Sequence, residues 1–147
     1  VGALTLGGQD LTADLGIQKT REGHELAYAR SRVVTAARAA RVVAYDTVWT
    51  DFDDPEGLFQ EAKLACEVGF AGKAAIHPGQ IEGIHRAFRP DPVEVRRARR
   101  IVAAAEEAEK RGRGVVAVDG RMVDGPIVER ARSLLVRAER YGEEEFA

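Results

Sequence analysis

Apolar residues in this chain come in short bursts, and their spacing alternates between two kinds. Val1-Gly-Ala-Leu-Thr-Leu6, Val42-Val-Ala-Tyr-Asp-Thr-Val48 and Lys73-Ala-Ala-Ile76 are compact runs bounded by Gly, Pro or polar clusters, which reads as three strands. Between them the spacing turns helical. Ser31 to Ala40 carries Val33, Val34, Ala37 and Ala40 on one helical face. Pro55 suits a first helical turn, Leu58, Ala62, Ala65 and Cys66 mark the inner face of the helix it opens, and Gly69 ends it. Gln80 to Phe88 predicts another helix behind His77-Pro78. Gln9 to Glu25, by contrast, is polar and turn-rich and reads as a loop. Strands alternating with helices are the pattern of a parallel α/β sheet.

After Pro90 the pattern changes. Asp91 is a good N-cap and Pro92 a good first helical residue. Val95, Ala98, Ile101, Val102, Ala105 and Ala108 then mark one face of a long helix ending near Gly112. Val115 to Val118 predicts a short strand and Asp119-Gly120 a turn. Pro126 opens a last helix to about Tyr141, and Glu143 to Ala147 reads as a frayed tail. The expected organisation is therefore an α/β part, residues 1–90, and a helix–hairpin–helix appendage, residues 91–147. Three parallel strands leave two open edges and much uncovered apolar surface, so further strands are expected from elsewhere in the protein or from a partner.

Composition narrows the function classes. The chain has 147 residues, 45% hydrophobic, with 22 Lys+Arg against 24 Asp+Glu and a net charge of −2. Length suits one domain, and the balance gives no global electrostatic reason to bind nucleic acid. Cations lie beside anions along the helices, the pattern of solvated faces. A single cysteine, Cys66, excludes an internal disulfide framework and fits a reducing, cytoplasmic setting. No apolar run approaches the roughly 20 residues that span a bilayer, so no membrane partner is expected. Residue 1 is Val, not Met, and the chain opens inside what reads as a strand. It is expected to be a piece of a larger domain.

In α/β folds reacting groups come from the loops after the carboxyl ends of strands. Three such segments qualify. In Gly7-Gly-Gln-Asp-Leu-Thr-Ala-Asp14, Gly7 and Gly8 let backbone approach a ligand closely. Asp10 is placed either to bind a hard cation such as Mg²⁺, which needs only one or two protein carboxylates, or, like Asp14, to cap a turn. Asp46-Thr-Val-Trp-Thr-Asp-Phe-Asp-Asp54 holds four aspartates but lacks the order and closing Glu of an EF-hand loop. Asp53 or Asp54 reads as a helix cap, while Asp46 and Trp49 stand where they can line a pocket. In Ala75-Ile-His-Pro-Gly-Gln80, His77 is either a general base or a histidine fixing the Pro-Gly turn. His24 and His85 read as surface residues, and Cys66 as a core thiol. Asp124, just before the last helix, is either its cap or a carboxylate carried on a mobile lid.

Taken together these segments resemble a known family. Gly7-Gly-Gln-Asp-Leu-Thr-Ala-Asp-Leu-Gly16, Tyr28-Ala-Arg-Ser-Arg-Val-Val34, Asp53-Asp-Pro-Glu-Gly-Leu58, Gly69-Phe-Ala-Gly-Lys-Ala-Ala-Ile-His-Pro-Gly-Gln80 and Met122-Val-Asp-Gly-Pro126 occur in the order found in the citrate lyase β-subunit-like (CitE-like) proteins of the HpcH/HpaI aldolase superfamily. The resemblance implies the C-terminal part of a TIM (β/α)₈ barrel, about three βα units from the sixth strand onward, followed by a helical C-terminal lid. It implies a Mg²⁺-dependent lyase acting on the carbon–carbon bond of 3-hydroxyacyl-CoA thioesters such as malyl- or citramalyl-CoA. It gives Asp10 the metal, and Asp124 the acid/base role from a lid that crosses to a neighbouring subunit of a homo-oligomer (dimer, trimer or hexamer). It places Gly7, Gly8, Asp46, Ile76 and Pro78 at the acyl-CoA substrate. The Glu that usually precedes the metal-binding Asp is Gln9 here, which leaves that ligand in place. Family chains run to about twice this length, and their second metal ligand, a Glu, and the substrate-binding Arg belong to the half not represented. The isolated chain is thus expected to be inactive. The competing reading is a non-catalytic barrel fragment, or a module that assembles with another chain.

Overall fold

The computed structural model describes residues 2–112 and 114–142. Val1, at the start of the first expected strand, and the expected tail from Glu143 lie outside the described residues. The fold is α/β. Its contacts divide it into two units, Val1–Phe88 and Arg89–Ala147.

In the first unit the order is β1 (Ala3–Thr5), α1 (Gly8–Asp14), α2 (Ala27–Ala39), β2 (Val43–Asp46), α3 (Pro55–Val68), β3 (Gly72–Lys73) and α4 (Ile81–Phe88), with 3-10 turns at His24–Leu26 and Pro78–Gln80. The three strands are parallel in the order β1-β2-β3. Ala3 stands beside Val43 and Thr5 beside Tyr45, while Asp46 stands beside Lys73. Successive side chains of a strand point to opposite faces. On β2 this buries Ala44 and Asp46 beneath the helices and leaves Val43 and Tyr45 44% and 40% exposed. The core lies on the helix side of the sheet, around Trp49, Leu58, Ala62, Phe70, Ile84 and Phe88, with Cys66 packed against it.

Three expectations need correcting. Gln9 to Glu25 is not simply a loop, because α1 begins at Gly8 and a 3-10 turn follows at His24. With Leu11 as its one large apolar residue inside the helix, α1 carries no hydrophobic stripe that periodicity can detect. The strands are also shorter than the apolar runs: β3 spans only Gly72–Lys73, and after Ala74, whose N–H donates to the Asp46 carbonyl at 3.1 Å, Ala75 and Ile76 leave the ladder. The helix expected from Ser31 starts four residues earlier, at Ala27.

The second unit comprises α5 (Pro92–Lys110), a hairpin of β4 (Val116–Val118) and β5 (Arg121–Val123), and α6 (Gly125–Glu139). Asp119 and Gly120 both have positive φ, 51° and 73°, the conformation of a tight hairpin turn. Ala98, Ile101, Val123, Val128 and Ala131 form its core. Among the described residues no helix is long and apolar enough to cross a membrane.

Candidate functional site

The carboxyl end of β1 runs straight into α1. Gly8 is buried there, and its N–H donates to the Thr47 hydroxyl at 3.0 Å. A Cβ on Gly8 would lie 2.8 Å from that oxygen and 3.0 Å from Leu26 Cδ1, so only glycine fits. The Thr12 hydroxyl donates back to the Gly8 carbonyl at 2.9 Å. Asp10 sits in the first turn of α1, exposed, and its carboxylate makes no hydrogen bond or ion pair among the described residues. It caps nothing, and neither does Asp14. Of the two glycines expected to let backbone approach a ligand, Gly8 is buried with its N–H committed to Thr47, and Gly7 is exposed.

Behind the strand ends lies a buried ion cluster. Arg30, on α2, donates to both oxygens of Asp46 at 3.0 Å and to Glu61 at 2.8 Å. Lys73, on β3, reaches Glu61 at 2.5 Å, the Thr47 carbonyl at 2.7 Å and Asp46 at 3.3 Å. Lys19 adds a third cation, 2.7 Å from Glu61, and its ammonium lies 5.0 Å from the centre of the Trp49 ring. Burial alone would push the Glu61 carboxyl up, but Lys73, Lys19 and Arg30 outweigh it and hold the group below the usual carboxylate range. Arg30 is likewise held above its ordinary value by Asp46 and Glu61, against burial. Asp46, expected at the substrate, is fully buried with both oxygens taken by Arg30 and Lys73. It faces the helices, because it follows Ala44 by two residues on the same strand face. The pattern alone did not expose Arg30, Glu61, Lys73 or Lys19. The readable signals were a Glu between Leu58 and Ala62 on an apolar helix face, and a Lys inside an apolar strand run.

The other two loops are tied to each other. Gln80 donates to the Trp49 carbonyl at 2.9 Å and accepts from Ile76 N–H at 3.0 Å. His77 Nδ1 accepts from Gly79 N–H at 3.1 Å, and its ring stands edge-on to Phe52 at 5.5 Å. That is the turn-fixing histidine of the two readings. Ile76 and Pro78 are exposed at this turn, and His24 and His85 are exposed as expected. Asp54 caps α3 through Gly57 N–H at 2.8 Å and is paired with Arg21, whose hydrogen bond lowers its carboxyl. Asp51 takes Asp53 N–H, so this acidic stretch bonds to its own backbone. A cavity of about 560 Å³ opens between Gln9, Thr12, Lys19, Arg21 and Trp49; Asp10 is not among its lining residues.

In the second unit Asp124 precedes α6 and accepts from Ile127 N–H at 3.4 Å, half-buried. The caps at Asp91 and Asp54 are much shorter, 2.7 and 2.8 Å. Asp124 is therefore a cap, but a loose one. A separate groove of about 580 Å³ is lined by Arg97, Arg121, Arg130 and Arg137 over Ile101 and Leu134.

Among the described residues no group of three His, Cys, Asp or Glu side chains is placed to hold a metal. Asp10 nevertheless suits a hard cation as a single ligand: an unpaired carboxylate, open to solvent, beyond the carboxyl end of a parallel strand. Mg²⁺ completes its shell with water and substrate oxygens, so one carboxylate from this chain fits that chemistry.

Comparison with known proteins places this arrangement. The citrate lyase subunit beta of Haemophilus influenzae is 44% identical over 135 residues, 92% of this chain and 46% of that protein. The mitochondrial citramalyl-CoA lyase of Rattus norvegicus is 34% identical over 92% of this chain and 40% of its own length. The chain thus spans about half the length of the relatives it matches. The CitE protein of Mycobacterium tuberculosis, crystallised with magnesium, acetoacetate and coenzyme A, superposes with a TM-score of 0.79 at 36% identity, covering 92% of this chain and 51% of that one. The profile of the HpcH/HpaI aldolase/citrate lyase group matches residues 1–78, which hold β1, the Asp10 turn and the ion cluster. The chain belongs to the HpcH/HpaI aldolase/citrate lyase family.

Proposed function

We propose that this chain is the C-terminal part of a cytoplasmic carbon–carbon lyase that cleaves a 3-hydroxyacyl-CoA thioester, of the malyl- or citramalyl-CoA type, into an acyl-CoA and a 2-oxo acid. Identity of 44% to a citrate lyase subunit beta, over 135 residues that reach into both units, carries the reading. On this reading the parallel strands are the last three of a (β/α)₈ barrel, and the second unit is a lid that serves a neighbouring copy in a homo-oligomer.

The chemistry asks for three things. The C3 hydroxyl must lose its proton, the C2–C3 electron pair must pass to the thioester as an enolate, and a proton must be returned to C2. Asp10 would hold Mg²⁺, which when bound polarises the hydroxyl and the forming carbonyl. Asp124 would carry the proton to the enolate carbon, and its loose cap on α6 lets the carboxylate leave Ile127 N–H at little cost. Gly7, Ile76 and Pro78, all exposed, would border the substrate. Asp46 and Gly8 would support that wall from behind.

The test is a screen of malyl-, citramalyl- and citryl-CoA cleavage with Mg²⁺ on the longer protein that carries this segment. Asp124→Ser should lower turnover at least about a hundredfold, in line with the usual contribution of a positioned acid/base, with metal affinity unchanged. Cleavage of none of these thioesters would defeat the reading. Full turnover of Asp124→Ser would defeat the lid assignment alone.

A further inference from the structure

Thr47 stands where the buried ion cluster meets the turn that carries Asp10. It is 2% exposed. Its carbonyl accepts from Lys73 Nζ at 2.7 Å, and its hydroxyl accepts from Gly8 N–H at 3.0 Å. Gly8 is the first residue of α1, and Asp10 lies two residues on in the same turn. That helix has seven residues, no side-chain N-cap, and only Gly8 and Thr12 buried. A helix this short is not stable by itself, so its direction is set by the few contacts at its start. Two of them meet at Gly8: the bond to Thr47, and the Thr12 hydroxyl on the Gly8 carbonyl. Lys73 in turn holds the Thr47 backbone through an ammonium shared with Glu61 and Asp46. A line of bonds runs from the ion cluster through Thr47 to the turn that aims the Asp10 carboxylate.

We propose that Thr47 is a positioning residue: its hydroxyl fixes the first turn of α1 and thereby the direction of Asp10 toward a divalent cation. This rests on the metal-binding reading of Asp10. Valine in its place would fill the same volume with a methyl group and leave Gly8 N–H buried without an acceptor. Serine would keep the oxygen.

The experiment is a Mn²⁺ titration of the ¹⁵N-labelled longer protein that carries this segment, read as paramagnetic broadening of backbone amides, which registers weak binding without turnover. In the wild type, broadening should centre on Gly8 to Leu11, and Asp10→Asn should abolish it. Thr47→Val should need about tenfold more Mn²⁺ for the same broadening, with amide shifts of α3 unchanged, and Thr47→Ser should titrate like the wild type. Should Thr47→Val match the wild type while Asp10→Asn loses the effect, the positioning role is wrong and the metal reading stands. Should Asp10→Asn itself match the wild type, the metal reading falls and takes the proposal with it. Hydrogen exchange of the unmodified protein gives a check that needs no variant. The Gly8 amide should exchange at least about tenfold more slowly than that of Gln9, and equal rates would overturn the role of Thr47.

Discussion

Glu61 shows how much a single buried carboxylate can carry. It faces Lys73, Lys19 and Arg30 at 2.5 to 2.8 Å with its side chain 2% exposed. Removing one partner from a buried ion group leaves the others uncompensated, which costs about 3–5 kcal/mol. Glu61→Gln should therefore lower the unfolding free energy at pH 7 by about 3 kcal/mol in a urea titration. The pH dependence has a definite sign. A carboxyl held below its ordinary value in the folded state contributes stability that is present above about pH 4.3 and is lost as pH falls through the folded value. The gap between wild type and Glu61→Gln should accordingly narrow below about pH 4.3, and a gap that stays constant into acid would refute this account of the cluster. Residue patterns flag Glu61 and Lys73 as charges in apolar settings but not the partners they meet. Lys73 and Glu61 are 12 residues apart and Arg30 and Asp46 are 16 apart, and only the pairing of β2 with β3 and the docking of α2 and α3 bring them together. His77 and Asp54 were easier, because their partners Gly79 and Gly57 lie two and three residues away.

Elements with strong local signals formed where the chain predicted them. Pro55, Pro92 and Pro126 each lie in the first turn of a helix, and Asp54, Asp91 and Asp124 each accept a bond at its start. α1, which has neither these signals nor an apolar stripe, was hidden, because a Gly-Gly start reads as loop and its anchor, Thr47, is 39 residues away from Gly8. The three caps also differ in a way that bears on function. A helix cap is worth about 0.5–2 kcal/mol, more when the bond is short and well aligned. Asp91→Ala should thus cost about 1 kcal/mol, whereas Asp124→Ala, which removes a bond of 3.4 Å, should cost about 0.5 kcal/mol or less in thermal or urea unfolding. An Asp124 cap as costly to remove as that of Asp91 would mean that the carboxylate is bound to α6 too firmly to act elsewhere.

At the scale of the whole molecule, the first unit presents a sheet with one covered and one uncovered face. Ala44 and Asp46 are buried, while Val43 and Tyr45 stand 44% and 40% exposed one residue away on the opposite face. The outer sides of β1 and β3 pair with nothing among the described residues. In a closed barrel the inward face is filled by side chains from every strand, and no edge remains. Under the barrel reading proposed above, Val43 and Tyr45 would face the barrel interior, with the remaining strands supplied by the part of the relatives, about half their length, that this chain does not span. Unpaired parallel strands with apolar side chains on an open face are a template for association. The 147-residue chain by itself should therefore self-associate with rising concentration in sedimentation velocity experiments. Val43→Thr with Tyr45→Lys should shift it toward the monomer by about tenfold in dissociation constant, equivalent to about 1.4 kcal/mol, since both changes lie on the exposed face and leave the helix side intact. If the double variant and the wild type sediment alike, the exposed sheet face does not drive association, and the search for what covers it moves to the open edges of β1 and β3.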